Sequence, residues 1–271
     1  SMATVIIILA AVIALIIGFG VSGKHSISVT TPTSPGNIGW RGVLGCTFEP
    51  DIWMGSIAIR WAKEGVAGLV HEFKNGKDHL KEQDTSFRGR TALFVDQVMG
   101  GNASLELRDL RLSDAGTYKC SVTTSRGSGV AVLQYRTGAF STPKVHVENS
   151  SSGHTLQCEA PRWFPQPTVR WTACSDTEEY LPYTANTSYE LNAENITLKV
   201  VSFLHNITAN ATYTCVIENN IAKATGNIKV TDFSITRGTD LQLVNLNVES
   251  VSPSLPTCHW MLLLPLYLLS M

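Results

Sequence analysis

The sequence predicts an all-β chain of two tandem β-sandwiches, and three observations carry that reading. The first is the stretch Asp114-Ala115-Gly116-Thr117-Tyr118-Lys119-Cys120, which holds a turn, an inward aromatic and a half-cystine in one short piece. The second lies upstream, where Leu44, Cys46 and Phe48 alternate onto one face of a strand and Trp61 follows in the next extended run. The third is repetition. Cys158, Trp171, Tyr213 and Cys215 come in the same order, again with the tyrosine two residues before the second cysteine.

An inter-sheet disulfide, a tryptophan packed on it and a tyrosine corner together mark an immunoglobulin-like sandwich. Cys46 is therefore expected to pair with Cys120 and Cys158 with Cys215, with Trp61, Tyr118, Trp171 and Tyr213 as structural core. The first two cysteines stand 74 positions apart and the second two 57. The longer spacing leaves room for the extra C′ and C″ strands of a variable-type domain, and the shorter fits a constant-type domain. Each closed loop restricts the unfolded chain by about 4 kcal/mol. The 271 residues divide as a signal segment (1–23), a variable-type domain (24–138), a constant-type domain (139–232), a stalk (233–258) and an apolar C-terminal anchor segment (259–271).

Composition narrows the function. A formal net charge of −1, from 21 basic and 22 acidic residues, leaves no electrostatic footprint for nucleic acid. Four of the six cysteines fill sandwich positions and none forms a Cys-x-x-Cys pair, which points to an oxidising compartment and away from zinc. Asn-x-Ser/Thr acceptor sites for glycan at Asn102, Asn149, Asn186, Asn195, Asn206 and Asn210 point the same way. Four of them crowd between Asn186 and Asn210, so the second domain is expected to be sheathed in glycan. The seven histidines have no ligand spacing and read as mostly solvated. No Gly-x-Ser-x-Gly, His-Glu-x-x-His or phosphate-cradling loop occurs. No catalysis, cofactor, metal or small-molecule substrate is expected.

Taken in order, the apolar run from Ala3 to Val21 reads as a secretory signal, with an uncleaved signal-anchor as the alternative. Ser26 to Val29 is an edge strand, and 32–39 a loop. Ile57 to Trp61 is strand C, Leu69 to Phe73 is C′, and Asn75-Gly76 is the tight turn after it. Thr91 to Val95 is strand D and Ala103 to Arg108 strand E. Asp114 opens the turn into strand F and needs a basic partner at the start of strand D. Arg90, which directly precedes that strand, is favoured over Arg88. Thr123 to Gly129, small and glycine-rich, reads as a flexible hairpin loop, followed by strand G from Val130 to Tyr135. In the second domain, Pro143 to Val147, Thr155 to Ala160, Thr168 to Trp171, Ile196 to Val200 and Ala211 to Ile217 read as strands. The proline- and aromatic-rich corner from Pro161 to Pro167 reads as packing between them.

The domain order, with Phe87-Arg88-Gly89-Arg90-Thr91, Asp114 to Cys120 and Cys158-Glu159-Ala160-Pro161-Arg162-Trp163-Phe164-Pro165-Gln166-Pro167, resembles the butyrophilin-like T-cell costimulatory and coinhibitory ligands. The resemblance covers Ser26 to Val230. It implies a membrane-anchored surface ligand, on the extracellular face of the plasma membrane, that dampens T-cell activation through a lymphocyte receptor. The alternatives are a homophilic adhesion molecule or a decoy receptor, which use the same sandwich. The lack of a tyrosine motif or basic stretch after the apolar tail is expected of a ligand more than of a signalling receptor.

Receptor contact is expected on the front sheet of the first domain, with Arg60, Lys63, Glu72, Lys119, Thr123, Ser125 and Arg126 as contact residues, because five of the six glycan acceptors lie from Asn149 onward. Cys174, the odd half-cystine, is expected to be a free or capped thiol rather than a dimer bridge. The tail from Trp260 to Met271 is short for a span and lacks a following Lys or Arg. It is expected to be a glycolipid-attachment signal with Ser250 as the attachment residue. A type I span, as the resemblance implies, is the alternative, and it would keep Cys258 in the mature protein.

Overall fold

Because side chains of a strand alternate between two faces, a chain rich in short alternating runs can bury one face of each only by laying sheet on sheet. A computed structural model describes residues 26–32, 34–150, 153–175, 179–183, 185–208, 210–231 and 235–243, without the side chains of 149–154 and 175–184. The signal segment, Ser250, Cys258 and the apolar tail lie outside the described residues. The chain divides into two compact units between Thr137 and Gly138, and the helical segments among the described residues are short 3₁₀ turns.

The first unit contains β1 (Val29–Thr30), β2 (Gly36–Asn37), β3 (Gly42–Leu44), β4 (Thr47–Phe48), β5 (Ala58–Lys63), β6 (His71–Lys74), β7 (Lys77–Asp78), β8 (Thr91–Leu93), β9 (Leu105–Leu107), β10 (Gly116–Thr124) and β11 (Gly127–Tyr135), with β12 (Thr137–Gly138) at the division. Its front sheet runs β11-β10-β5-β6-β7, and its back sheet β3-β9-β8. Leu44, Cys46, Ile59, Trp61, Phe73, Leu105, Leu107, Tyr118 and Cys120 fill the space between them. Cys46 and Cys120 are joined by a disulfide with Cα atoms 6.6 Å apart. The Trp61 indole donates to the Ala103 carbonyl at 2.9 Å, so one side chain ties the front sheet to the approach to β9. The Tyr118 hydroxyl donates to the Asp114 carbonyl at 2.7 Å, closing the tyrosine corner.

Two buried polar ties join the sheets at their edges. Arg90 grips Asp114 with both guanidinium nitrogens, at 2.9 and 2.7 Å. Its remaining donors reach the carbonyls of Ser86, Arg108 and Asp109. Next to it, against the start of β8, His71 is fully buried, an exception among histidines expected to be mostly solvated. Its ring nitrogens meet Thr91 Oγ1 at 2.9 Å and Asp78 Oδ1 at 3.0 Å. Gln83 donates to the same Thr91 oxygen at 2.8 Å. The Asp78 carboxylate only accepts, so Nε2 carries the ring hydrogen toward it.

The expected flexible F–G loop is corrected: β10 extends to Thr124 and β11 starts at Gly127, leaving only Ser125 and Arg126 as the turn. Gly129 serves proximity instead of motion. A Cβ on Gly129 would lie 2.5 Å from the Ile27 carbonyl oxygen, where the N-terminal segment crosses and Ile27 donates its N–H to Ser128 O. Asn75 and Gly76, with φ of 52° and 74°, make the hairpin turn between β6 and β7.

The second unit contains β13 (Lys144–Ser150), β14 (Gly153–Trp163), β15 (Thr168–Ser175), β16 (Glu179–Tyr183), β17 (Asn186–Asn192), β18 (Thr197–Leu204), β19 (Ala211–Glu218), β20 (Ala222–Val230) and β21 (Ile235–Leu243). One sheet runs β13-β14-β18-β17, the other β16-β15-β19-β20-β21. Cys158 bonds to Cys215, Trp171 donates to Ser202 Oγ at 2.9 Å, and Trp163 is buried in the same core. Two expectations are corrected here. The stalk does not begin at 233, because Ile235 to Leu243 pair along the whole of β20. Every residue of β21 is exposed, so it carries no apolar alternation to mark it as a strand. Cys174, expected as a thiol, is disulfide-bonded.

Arg90→Ala strands a buried carboxylate and is expected to lower the unfolding free energy by about 3–5 kcal/mol, read by urea denaturation with disulfides intact. A loss below about 1 kcal/mol would show that the backbone N–H of Arg111, which also reaches Asp114, satisfies the carboxylate alone.

Candidate functional site

The front sheet of the first unit carries its outward side chains on β5, β6, β10 and β11, and their register is set by the inward Trp61, Phe73, Cys120 and Leu133. Arg60 stands opposite both Ser121 and Glu72. Lys119 stands between Ala62 and Val132. Thr123 pairs with Ala58 and Ser128. The sheet thus brings Arg60, Glu72, Lys119 and Thr123 onto one face. Glu72 is already engaged by Lys74 at 3.3 Å. The face is cationic at its centre and apolar at the β11 edge, where Val130 and Val132 are 54% and 59% exposed. These valines are contact candidates that the sequence reading left out. Their signal was a strand apolar on both faces, since Leu133 and Tyr135 alternate with them into the core.

Lys63 does not belong to this face. It pairs with Tyr118, two residues on from the inward Trp61, and its ammonium lies 5.6 Å from the Tyr118 ring centroid while donating to the Ser113 carbonyl. Burial lowers its pKa, opposed by the nearby Asp114 carboxylate. Ser125 and Arg126 sit at the end of the hairpin, and Ser125 has a structural duty. Its N–H and hydroxyl both donate to Asp51 Oδ2, at 2.8 and 2.7 Å. Ser56 Oγ reaches the same oxygen at 3.1 Å and the Trp53 N–H reaches Oδ1 at 3.0 Å. Hydrogen bonds from the Ser125 hydroxyl first, then from the Trp53 and Ser125 amides, hold the Asp51 carboxyl well below the usual carboxylate range. Nothing in Glu49-Pro50-Asp51 distinguishes this aspartate from a solvated loop residue, so sequence reasoning passed over it.

Of the glycan acceptors, Asn186, Asn195, Asn206 and Asn210 are exposed on the second unit. The side chain of Asn149 lies outside the described ones. Asn102 is half-buried beside Phe48 and β4, its amide donating to Gln97 at 2.7 Å, and none of the six lies on the front sheet. Among the described residues no cluster of His, Cys, Asp and Glu is placed to hold a metal ion.

Two stitched sandwiches and a sheet face free of structural duty define a two-domain immunoglobulin-superfamily protein. The family model of the immunoglobulin V-set domain matches residues 33–137, and that of the butyrophilin subfamily 3 member A2-like Ig-C domain matches residues 140–226. The chain is 59% identical to human V-set domain-containing T-cell activation inhibitor 1 over 97% of its own length and 93% of that protein. To the mouse protein it is 60% identical over 90% and 87%. The chain belongs to this family of V-set domain-containing T-cell activation inhibitors, within the butyrophilin-related group. The crystal structure of the human B7-H4 IgV-like domain has 65% identity over 42% of this chain and 98% of its own, with a TM-score of 0.41.

A group whose folded pKa is depressed stabilises above its unfolded value, near 3.9 for Asp, and loses that contribution as pH falls through the folded value. Asp51 is therefore expected to remain ionised at about pH 3, with the Ser125 contact intact. Carbon-detected NMR titration checks this, and an ordinary midpoint near 3.9 would show the contact to be absent in solution.

Proposed function

We propose that this protein is a cell-surface ligand that restrains T-cell activation by binding a lymphocyte receptor through the front sheet of its first domain. The observation that carries the reading is 59% identity, over 97% of the chain, to a protein named as a T-cell activation inhibitor. The surface supports it. Arg60 and Lys119 project from rigid strands with no structural task, Val130 and Val132 border them, and the glycan acceptors lie elsewhere. Cationic centre and apolar border together favour a receptor face with the opposite charge and its own apolar strip. The work is recognition, without a reacting centre, so affinity and orientation decide its effect.

Cells displaying the chain should bind activated T lymphocytes and suppress their proliferation. Arg60→Glu with Lys119→Glu should lower binding about tenfold or more, while Arg108→Glu, exposed near the back sheet, should leave it unchanged. Binding only to cells that display the same chain would replace this reading with homophilic adhesion.

The family and the apolar tail support attachment to the outer face of the plasma membrane, with Ser250 carrying a glycolipid. No helix among the described residues is long and apolar enough to cross a membrane. Phosphatidylinositol-specific phospholipase should release the protein from intact cells; retention beside a released glycolipid-anchored control would assign a spanning tail instead.

A further inference from the structure

The turn between β4 and β5 presents two large apolar side chains that the fold does not use. Ile52 is 78% exposed and Trp53 66% exposed, on adjacent residues, while the anchor Asp51 directly before them is 2% exposed. Asp51 spends its carboxylate inward, on Trp53, Ser56 and Ser125, so the turn is locked to the β10–β11 hairpin and its negative charge is already satisfied. Among the described residues the Trp53 indole N–H has no acceptor and the Arg126 guanidinium no carboxylate. Arg126 adjoins Ser125 at one end of the lock, and Ile52 adjoins Asp51 at the other. The end of the sandwich is therefore an apolar pair on an anchored turn, beside a cation with no carboxylate among the described residues.

Scattered single apolar residues on a surface need no explanation, but two large adjacent ones on an anchored turn form a patch that does. Tryptophan and arginine are among the residues that most often dominate binding energy at protein interfaces, and a turn whose backbone is held before contact loses less freedom on binding. We propose that this tip anchors the lymphocyte receptor. Trp53 and Ile52 enter an apolar pocket on the receptor, and a carboxylate on the pocket rim meets Arg126. Asp51 is the positioning residue, since it holds both limbs of the tip without touching the partner. The inference rests on the receptor reading above and adds a contact outside the front sheet. A single basic residue attracts an anionic bilayer too weakly to favour a membrane contact, and charge complementarity selects an acidic-rimmed protein pocket.

The test uses the full chain displayed on cells, with activated T lymphocytes as the probe and the display density needed for half-maximal lymphocyte binding as the readout. Ile52→Ser with Trp53→Ser is expected to raise that density about 30-fold, and Arg126→Glu about tenfold, at wild-type display levels. Both changes are at exposed positions, and each checks the other. If both variants bind like wild type while Arg60→Glu with Lys119→Glu still loses binding, the tip assignment is overturned and the receptor reading stands. If wild type binds no lymphocytes, the receptor reading itself fails. Loss of binding to phosphatidylserine vesicles, with lymphocyte binding kept, would make the tip a membrane contact and overturn the proposal.

Discussion

The bond between Cys46 and Cys120 is the constraint on which the rest of the first domain depends. Two sheets have no hydrogen bonds to offer each other, so only side chains meeting between them hold a sandwich closed. A covalent link across that gap fixes which residues face inward. Once Cys120 points to the core, alternation commits Tyr118 and Val122 to it, and sends Lys119, Ser121 and Thr123 outward. Trp61, opposite Cys120 in the next strand, carries the same phase to β5 and so presents Arg60 on the outer face. The binding face is the complement of the core, produced by the same register.

Buried polar and charged groups follow a second rule, which is that each is placed where several partners together satisfy it. Arg90 with Asp114 and His71 with Asp78 and Thr91 sit side by side at the start of β8, and Asp51 is tied to Ser125 in the β10–β11 hairpin. Each joins separate elements and uses almost all its donors or acceptors internally, as the low polarity of the interior requires. The consequence is functional as well as structural. With the ends and edges held from within, the outer side chains of β5, β10 and β11 contribute little to stability, and they are open to be chosen for recognition.

Much of this was legible in the sequence because period-two alternation and the placement of Cys, Trp and Tyr report burial directly. Arg90 could be picked over Arg88 because only a residue at the strand's start reaches the turn below. Lys63 departs from the expected outward face, and the parity that shows this is in the sequence, since counting two from Trp61 puts it on the inward side. β21 has no apolar period to detect because it is exposed on both faces, and Gly129 reads as a flexible position in the sequence although the close approach of Ile27 demands it. The lock between Asp51 and Ser125 spans 74 positions and joins two small polar residues in turns. Such a contact leaves no local signature, because only the folded sheets bring those turns together.

The same lock explains how one domain can present two kinds of surface. A sheet face positions side chains by backbone hydrogen bonds on both flanks, so charged residues on it are well placed yet remain fully solvated before contact. A turn has no such flanking ladder, and an exposed tryptophan on a loose turn would fold back onto the nearest apolar surface. Asp51 prevents that by tying the turn to the hairpin beside it, with four hydrogen bonds to one carboxylate. Because a carboxylate accepts but does not donate, Asn cannot reproduce the arrangement: an amide nitrogen facing the Ser125 N–H would set donor against donor. The apolar tip of this domain therefore depends on the charge state of a buried side chain that is itself out of reach of any partner.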